Sequence, residues 1–403
     1  MRRDSLNTAL VEVTIPVPPE AESRGQKVVE AAYAERRPRQ RPGLPRLAVA
    51  LAAATLLAAL LLSPAGAAVR GWVDEAITTS TPRPEPALSE IPGGGRLLVQ
   101  SASGPWVVQP DGSRRLLGDY EEATWSPHGL FAAVVKGRTL TAVEPDGDPR
   151  WSITATREIG VPRWSPSGER IAYRAGFGLR VIAGDGTEDR LLAGSTASTS
   201  PAYVAPSWSP GGEDALAYVT GGRALRIVNS ETGAELAKAL ALSRITWMEW
   251  GAGGQAILEA SPQTLRLRSV RPRKIAPGPA LGAAQRLPLA PGATVVDATL
   301  APRRPLVAAV ITYWKRSGTR SEVVVIRPGG GSRSLLTVPG SLDQLEWSPD
   351  GRRLLVTWPY ANQWLFLPVG RGQGRAVGDI STAFSPGQRS ASFPRLEGWC
   401  CRR

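Results

Sequence analysis

The chain of 403 residues contains one histidine, two cysteines, two methionines and five lysines. Each scarcity excludes chemistry. With His128 alone, zinc sites built on two or three imidazoles cannot form, and a Ser-His-Asp or Cys-His centre would need that single side chain. The two cysteines are neighbours, Cys400 and Cys401. Adjacent Cα atoms lie about 3.8 Å apart, below the usual disulfide span of about 4.4 to 6.8 Å, so no structural disulfide is expected. No Gly-x-Ser-x-Gly elbow is present, which removes the commonest hydrolase signature. Nor does any prenylation box or Cys-x-x-Cys spacing occur at the end GWCCRR.

Positive charge is plentiful, with a formal net charge of +13. Most of the basic residues are arginines scattered singly, without the clustering that marks a nucleic-acid footprint, so nucleic acid is not an expected partner. Glycine (43) and proline (36) together make about a fifth of the chain, the composition of many short strands joined by turns.

The one long apolar run lies at 47–69, LAVALAAATLLAALLLSPAGAAV, 23 residues without a charge. At about 1.5 Å per residue it is long enough to cross a bilayer core of about 30 Å. Arg36, Arg37, Arg39, Arg41 and Arg46 precede it without an acid, whereas residues 70–90 mix both signs. The positive-inside rule then gives a single-pass protein with residues 1–46 in the cytoplasm and the remainder outside. A cleaved signal peptide is the competing reading, since Ala65-Gly66-Ala67 resembles a cleavage site; 46 preceding residues are long for a basic leader. Residues 70–95, with TSTPRPEP and GGG, read as a linker.

The rest of the chain repeats. WSPxG followed by a short apolar strand occurs at Trp125, Trp164, Trp208 and Trp347, and weaker copies fit at Trp250, Leu300 and Phe384. The anchors follow one another at intervals of 39, 44, 42, 50, 47 and 37 residues. Within an interval come three β-rich runs, such as Arg170 to Arg174, Leu179 to Ile182 and Asp189 to Leu192, and then a fourth that ends at the next anchor. Four strands per unit of about 40 residues, joined by Gly-containing turns and without intervening helices, is the pattern of a propeller blade.

The WSPDG turn leading into an apolar strand resembles the WD40-like repeat of TolB-type β-propellers, over about residues 96–394. That resemblance implies that the strand ending in Trp or Phe is the innermost of its blade. The expected fold is all-β, a seven-bladed propeller with six or eight blades as alternatives, closed by pairing an inner strand Ile380 to Phe384 with residues 96–118. Residues 395–403 are then a disordered tail.

Few residues offer chemistry. His128 holds the variable place in its WSPHG turn, where the other copies carry Ser, Gly and Asp, so it reads as a turn residue. The Asp-Gly pairs at 111–112 and 146–147 read as hairpin turns, since no distal calcium-loop Glu follows. Glu249 and Glu346 each precede an anchor, so by alternation they face away from it, either lining an inner channel or standing in solvent. No cofactor or metal site is expected. The leading functional expectation is a non-enzymatic module that binds an envelope protein or peptide outside the membrane. The alternatives are a sensor relaying occupancy to residues 1–45, and a carboxylate-based enzyme using Glu249 and Glu346.

Overall fold

The WSPxG segment is built to turn sharply. Its glycine adopts a left-handed conformation, φ +62° at Gly129, +79° at Gly168 and +66° at Gly351, which a Cβ would penalise. In three of the copies the buried serine, a residue the repeat pattern alone does not single out, closes the turn twice. In the last copy Gly351 N–H donates to the Ser348 carbonyl at 2.8 Å, while Ser348 Oγ accepts from Arg353 N–H at 2.9 Å. Ser126 and Ser165 do the same for Phe131 and Arg170. The chain is thereby reversed into the next strand with its backbone groups satisfied.

In the computed structural model, residues 88–193, 204–210, 215–251, 253–272, 279–315, 318–385 and 392–401 are described. They fall within one compact unit, Ala68–Arg403. They form seven four-stranded antiparallel sheets. In chain order, blade 2 begins with the inner strand Glu122–Trp125, blade 3 with Ile159–Trp164, blade 4 with Ser207–Trp208, blade 5 with Trp247–Trp250, blade 6 with Ala293–Leu300 and blade 7 with Leu345–Trp347. Each ends at its expected anchor, and three strands follow it outward. Blade 1 is composite: Arg96–Ser101, Gly104–Val108 and Arg114–Leu116 are joined on the inside by Arg395–Cys400 from the far end of the chain.

That closure corrects the expected one. Ile380–Phe384 is a short helix, because Ile380, Ala383 and Phe384 repeat at helical rather than alternating spacing. Phe384 is still buried, packed against the rings of Trp364 and Trp106 at 5.2 and 5.9 Å, but as a plug between blades 7 and 1 rather than an inner-strand anchor. Nor are residues 395–400 a disordered tail. They pair antiparallel with Arg96–Gln100, and Trp399 takes the anchor position, donating Nε1–H to the Gly94 carbonyl at 2.8 Å. The linker also ends earlier than expected, since Leu88 and Ile91 are buried in the core shared by blades 7 and 1. Cys400 and Cys401, expected to stay unpaired, are joined in a disulfide with Cα atoms 3.7 Å apart, Cys401 adopting φ +62°.

Apolar clusters lie between successive blades, and the anchors Trp125, Trp164, Trp208, Trp250, Leu300 and Trp347 are all buried in them or beside them. Among the described residues no helix is long and apolar enough to cross a membrane; the run 47–69 lies outside them.

Truncation of a fully buried Trp costs about 3–5 kcal/mol. Trp347→Ala and Trp399→Ala should therefore each lower the unfolding free energy by about that amount in chemical denaturation. An unchanged midpoint for Trp399→Ala would return 395–400 to the status of a tail.

Candidate functional site

The innermost strands of a propeller have no strand beside them on the axis, so their side chains decide how one blade meets the next. Counting back from each anchor, two positions matter. Three residues before it, Glu122 Oε2 accepts the Val161 N–H of blade 3 at 2.6 Å and Asp297 Oδ2 accepts the Leu345 N–H of blade 7 at 2.9 Å. Gln344 exchanges two bonds with Leu396 of the closing strand, at 2.8 and 3.1 Å. One residue before the anchor, Ser207 Oγ accepts the Trp250 N–H at 2.8 Å, and Glu249 Oε2 accepts both Leu300 N–H at 2.8 Å and Thr299 Oγ1–H at 3.0 Å.

Two anchors reach back with their own side chains, again donating from the later blade to the earlier one. Trp208 Nε1–H donates to the Arg163 carbonyl at 2.8 Å and Trp347 Nε1–H to the Thr299 carbonyl at 3.4 Å. Between blades 1 and 2, the Arg96 guanidinium lies 5.2 Å over the Trp125 ring and donates to the Gly129 carbonyl at 2.7 Å. Val161, the partner of Glu122, holds φ +49° within a bulge, a costly conformation for a β-branched residue. The carboxylate bond to its N–H helps hold that conformation in place.

The same strands wall a central cavity of about 650 Å³ to which all seven blades contribute. Glu249 and Glu346 both line it, as do Asp297 and Glu397, which the sequence reading passed over. Asp297 stands in the same register as Glu122 and Gln344, so the spacing from the anchors carried a signal for it. Glu397 lies in the closing strand and had none. Among the described lining residues the only cationic side chain is Arg163. A basic protein thus encloses an acidic cavity. His128 is exposed in its turn and does not line it.

Three of the four carboxylates are engaged. Glu249 and Asp297 accept the bonds above, with Ala298 N–H adding a second donor to Asp297 at 2.9 Å, and Glu397 Oε1 accepts from Arg395 at 2.8 Å. Glu346 accepts no hydrogen bond from any described residue. Its register equivalents Ser207 and Glu249 each accept the anchor N–H of the following blade, whereas Trp399 makes no such bond to Glu346. Glu346 is half-buried and lines the cavity.

Enclosure penalises the ionised forms. Burial pushes the Glu249 carboxyl up to about 7 and that of Asp297 up to about 6, their backbone donors pulling the other way. Glu346 goes furthest, to about 8, through burial and then the neighbouring Glu249 and Asp297, with Arg163 opposing. Burial also raises Glu397.

Each of these groups holds its proton more tightly in the folded than in the unfolded chain, so stability falls as pH rises from the ordinary carboxyl value through the folded one. The melting temperature should therefore decline between pH 5 and pH 9. In Glu346→Gln the decline above pH 7 should flatten, leaving the variant more stable than the parent at pH 9. Identical slopes in a thermal melt series would contradict the placement of Glu346.

No family model matches the sequence, and no curated protein matches it. Solved structures do. The beta-propeller domain of Cps50 (Swd1) from Myceliophteria thermophila superposes with a TM-score of 0.50 at 15% identity, over 71% of this chain and all of that one. KlHsv2 with loop 6CD replaced by a Gly-Ser linker gives a TM-score of 0.49 at 13% identity, over 70% and 93% of the two chains. Hydrazine synthase from Kuenenia stuttgartiensis gives 0.48 at 12% identity, over 62% and 76%. Together with the strand order, the similarity to Cps50 makes the described part of this chain a seven-bladed β-propeller.

Proposed function

We propose that the chain is a membrane-anchored, non-enzymatic binding module of the TolB-like kind, with its propeller outside the membrane and its ligand held at the central cavity. The observation that carries this reading is the cavity itself: seven inner strands enclose about 650 Å³ lined by polar groups, Trp and Pro. Concave sites of this size suit a ligand or a peptide segment rather than a flat protein contact.

The WSPxG turns support the TolB-like assignment, and the uncharged run 47–69 with arginines on one flank supports the anchor and its orientation. A binding role without turnover is favoured by the lone imidazole standing in an exposed turn away from the cavity.

Affinity capture with the full chain as bait from a detergent-solubilised cell envelope should enrich a partner, and Glu249→Ala should release it by removing a bond that shapes the cavity wall. Protease added to intact cells stripped of their wall should cleave the propeller and spare residues 1–46. Capture at background level from envelopes, or a propeller protected from protease until lysis, would reject the reading.

A further inference from the structure

We propose that the central cavity binds an organic cation, a guanidinium or primary ammonium group, with Glu346 as its counter-ion. This deepens the binding reading above and rests on it. The geometry begins with the register of the inner strands. Polar side chains at the position before the anchor are consumed in blade-to-blade bonds at Ser207 and Glu249, so their lone pairs are committed to the scaffold. Glu346 occupies the same position in blade 7, is enclosed by the ring, and is committed to nothing among the described residues. Glu346 is half-buried and its carboxyl faces the cavity, so its lone pairs stay open to whatever the cavity holds.

The surroundings select the ligand. Glu249, Asp297, Glu346 and Glu397 outnumber the two guanidinium groups near them, Arg395, which pairs with Glu397 at 2.8 Å, and Arg163 on the cavity wall, which makes a local hydrogen bond to the Pro162 carbonyl at 2.8 Å. An anion would meet an excess of carboxylates, whereas a cation neutralises them. Trp247 adds an indole to the same wall, three residues before its anchor, where blades 2, 6 and 7 carry Glu122, Asp297 and Gln344. Carboxylate beside indole is a pairing suited to guanidinium and ammonium groups. Among the described residues no group of three or more His, Cys, Asp or Glu is spaced to hold a metal ion. The carboxylates are therefore spread around a space that fits an organic cation with its attached chain.

Binding must move a proton. Without a cation beside it the Glu346 carboxyl is pushed up to about 8, because burial, Glu249 and Asp297 all favour its neutral form. An arriving cation favours the carboxylate, so the proton leaves to solvent as the ion pair forms. Binding should strengthen as pH rises from 6 to 8.

The test is calorimetric titration of the full chain with a capped Gly-Arg-Gly tripeptide, its citrulline isostere, and free agmatine. The arginine peptide should bind at least about tenfold more tightly than the citrulline peptide, which is uncharged but equal in shape. Glu346→Gln should weaken it by about tenfold or more, and His128→Ser, in an exposed turn, should leave it unchanged. Titrations in two buffers of different ionisation enthalpy should reveal proton release by the parent chain, a readout that holds even if Glu346→Gln folds poorly. Agmatine binding as tightly as the peptide identifies a free amine as the natural source, and weaker agmatine binding identifies a peptide side chain; both support the cation. Equal affinity for arginine and citrulline peptides, no binding of any cationic probe at millimolar concentration, or no proton release would overturn it. An envelope partner captured equally well by the parent and Glu346→Gln, with the cationic probes silent, would remove this inference and leave the binding reading standing.

Discussion

A ring of separate sheets holds together only if each innermost strand bonds to the next, because the inner edge of every blade has no strand beyond it. In this protein that task falls to a few side chains placed one and three residues before a buried anchor. They accept backbone N–H groups of the following blade, and at two of the boundaries the following blade's anchor indole donates as well, to a backbone carbonyl. Carboxylates suit the work because charge-assisted bonds to backbone N–H groups are short and strong. Their number also makes the axis acidic, although the whole chain carries a net charge of +13.

The same constraint gives the cavity its character. Carboxylates recruited to join blades are drawn out of water, and burial raises the proton affinity of those facing the axis. Where two backbone donors meet the carboxylate, as at Asp297, the rise is held to about 6; where none does, at Glu346, it reaches about 8. Blade 7 differs because its neighbour is the composite blade, whose inner strand arrives from the far end of the chain. There Gln344 takes over the junction with a two-bond exchange to Leu396, and the residue before the anchor is left over. A feature of ring closure and a feature of recognition are thus one arrangement.

How far the molecule could be read from its sequence follows from which signals are local. The WSPxG turns are local: Pro and Gly fix the backbone within five residues, so four inner strands stand out in the repeat, and two weaker copies at Trp250 and Leu300 follow from the spacing. The seventh inner strand carries no such turn. RLEGWC is a strand because Arg96–Ser101 offers it an edge some 300 residues away in sequence, and that partner leaves no mark on the segment itself. The degenerate FSPG copy drew the assignment to Ile380–Phe384, whose apolar residues are spaced for a helix. For the site, alternation identifies Glu249 and Glu346 as facing away from their anchors but treats them alike. Their difference depends on the backbone of the following blade, which only the folded ring defines. Asp297 shares a register with Glu122 and Gln344, whereas Glu397 and Trp247 owe their place on the wall to ring closure and to a position held elsewhere by polar residues.

The claim on which the account turns is that one enclosed carboxyl stands protonated and unbonded in the cavity at neutral pH. Infrared difference spectroscopy of the full chain across a pH titration addresses it directly, since a protonated carboxyl has a carbonyl stretch distinct from that of a carboxylate. A band is expected at pH 7 with two components: one that titrates near pH 8, disappears on addition of the arginine tripeptide and is missing from Glu346→Gln, and one from Glu249 that titrates near pH 7 and remains. A parent chain with no protonated carboxyl band at pH 7, or a component near pH 8 that persists unchanged in Glu346→Gln, would contradict this protonation of Glu346.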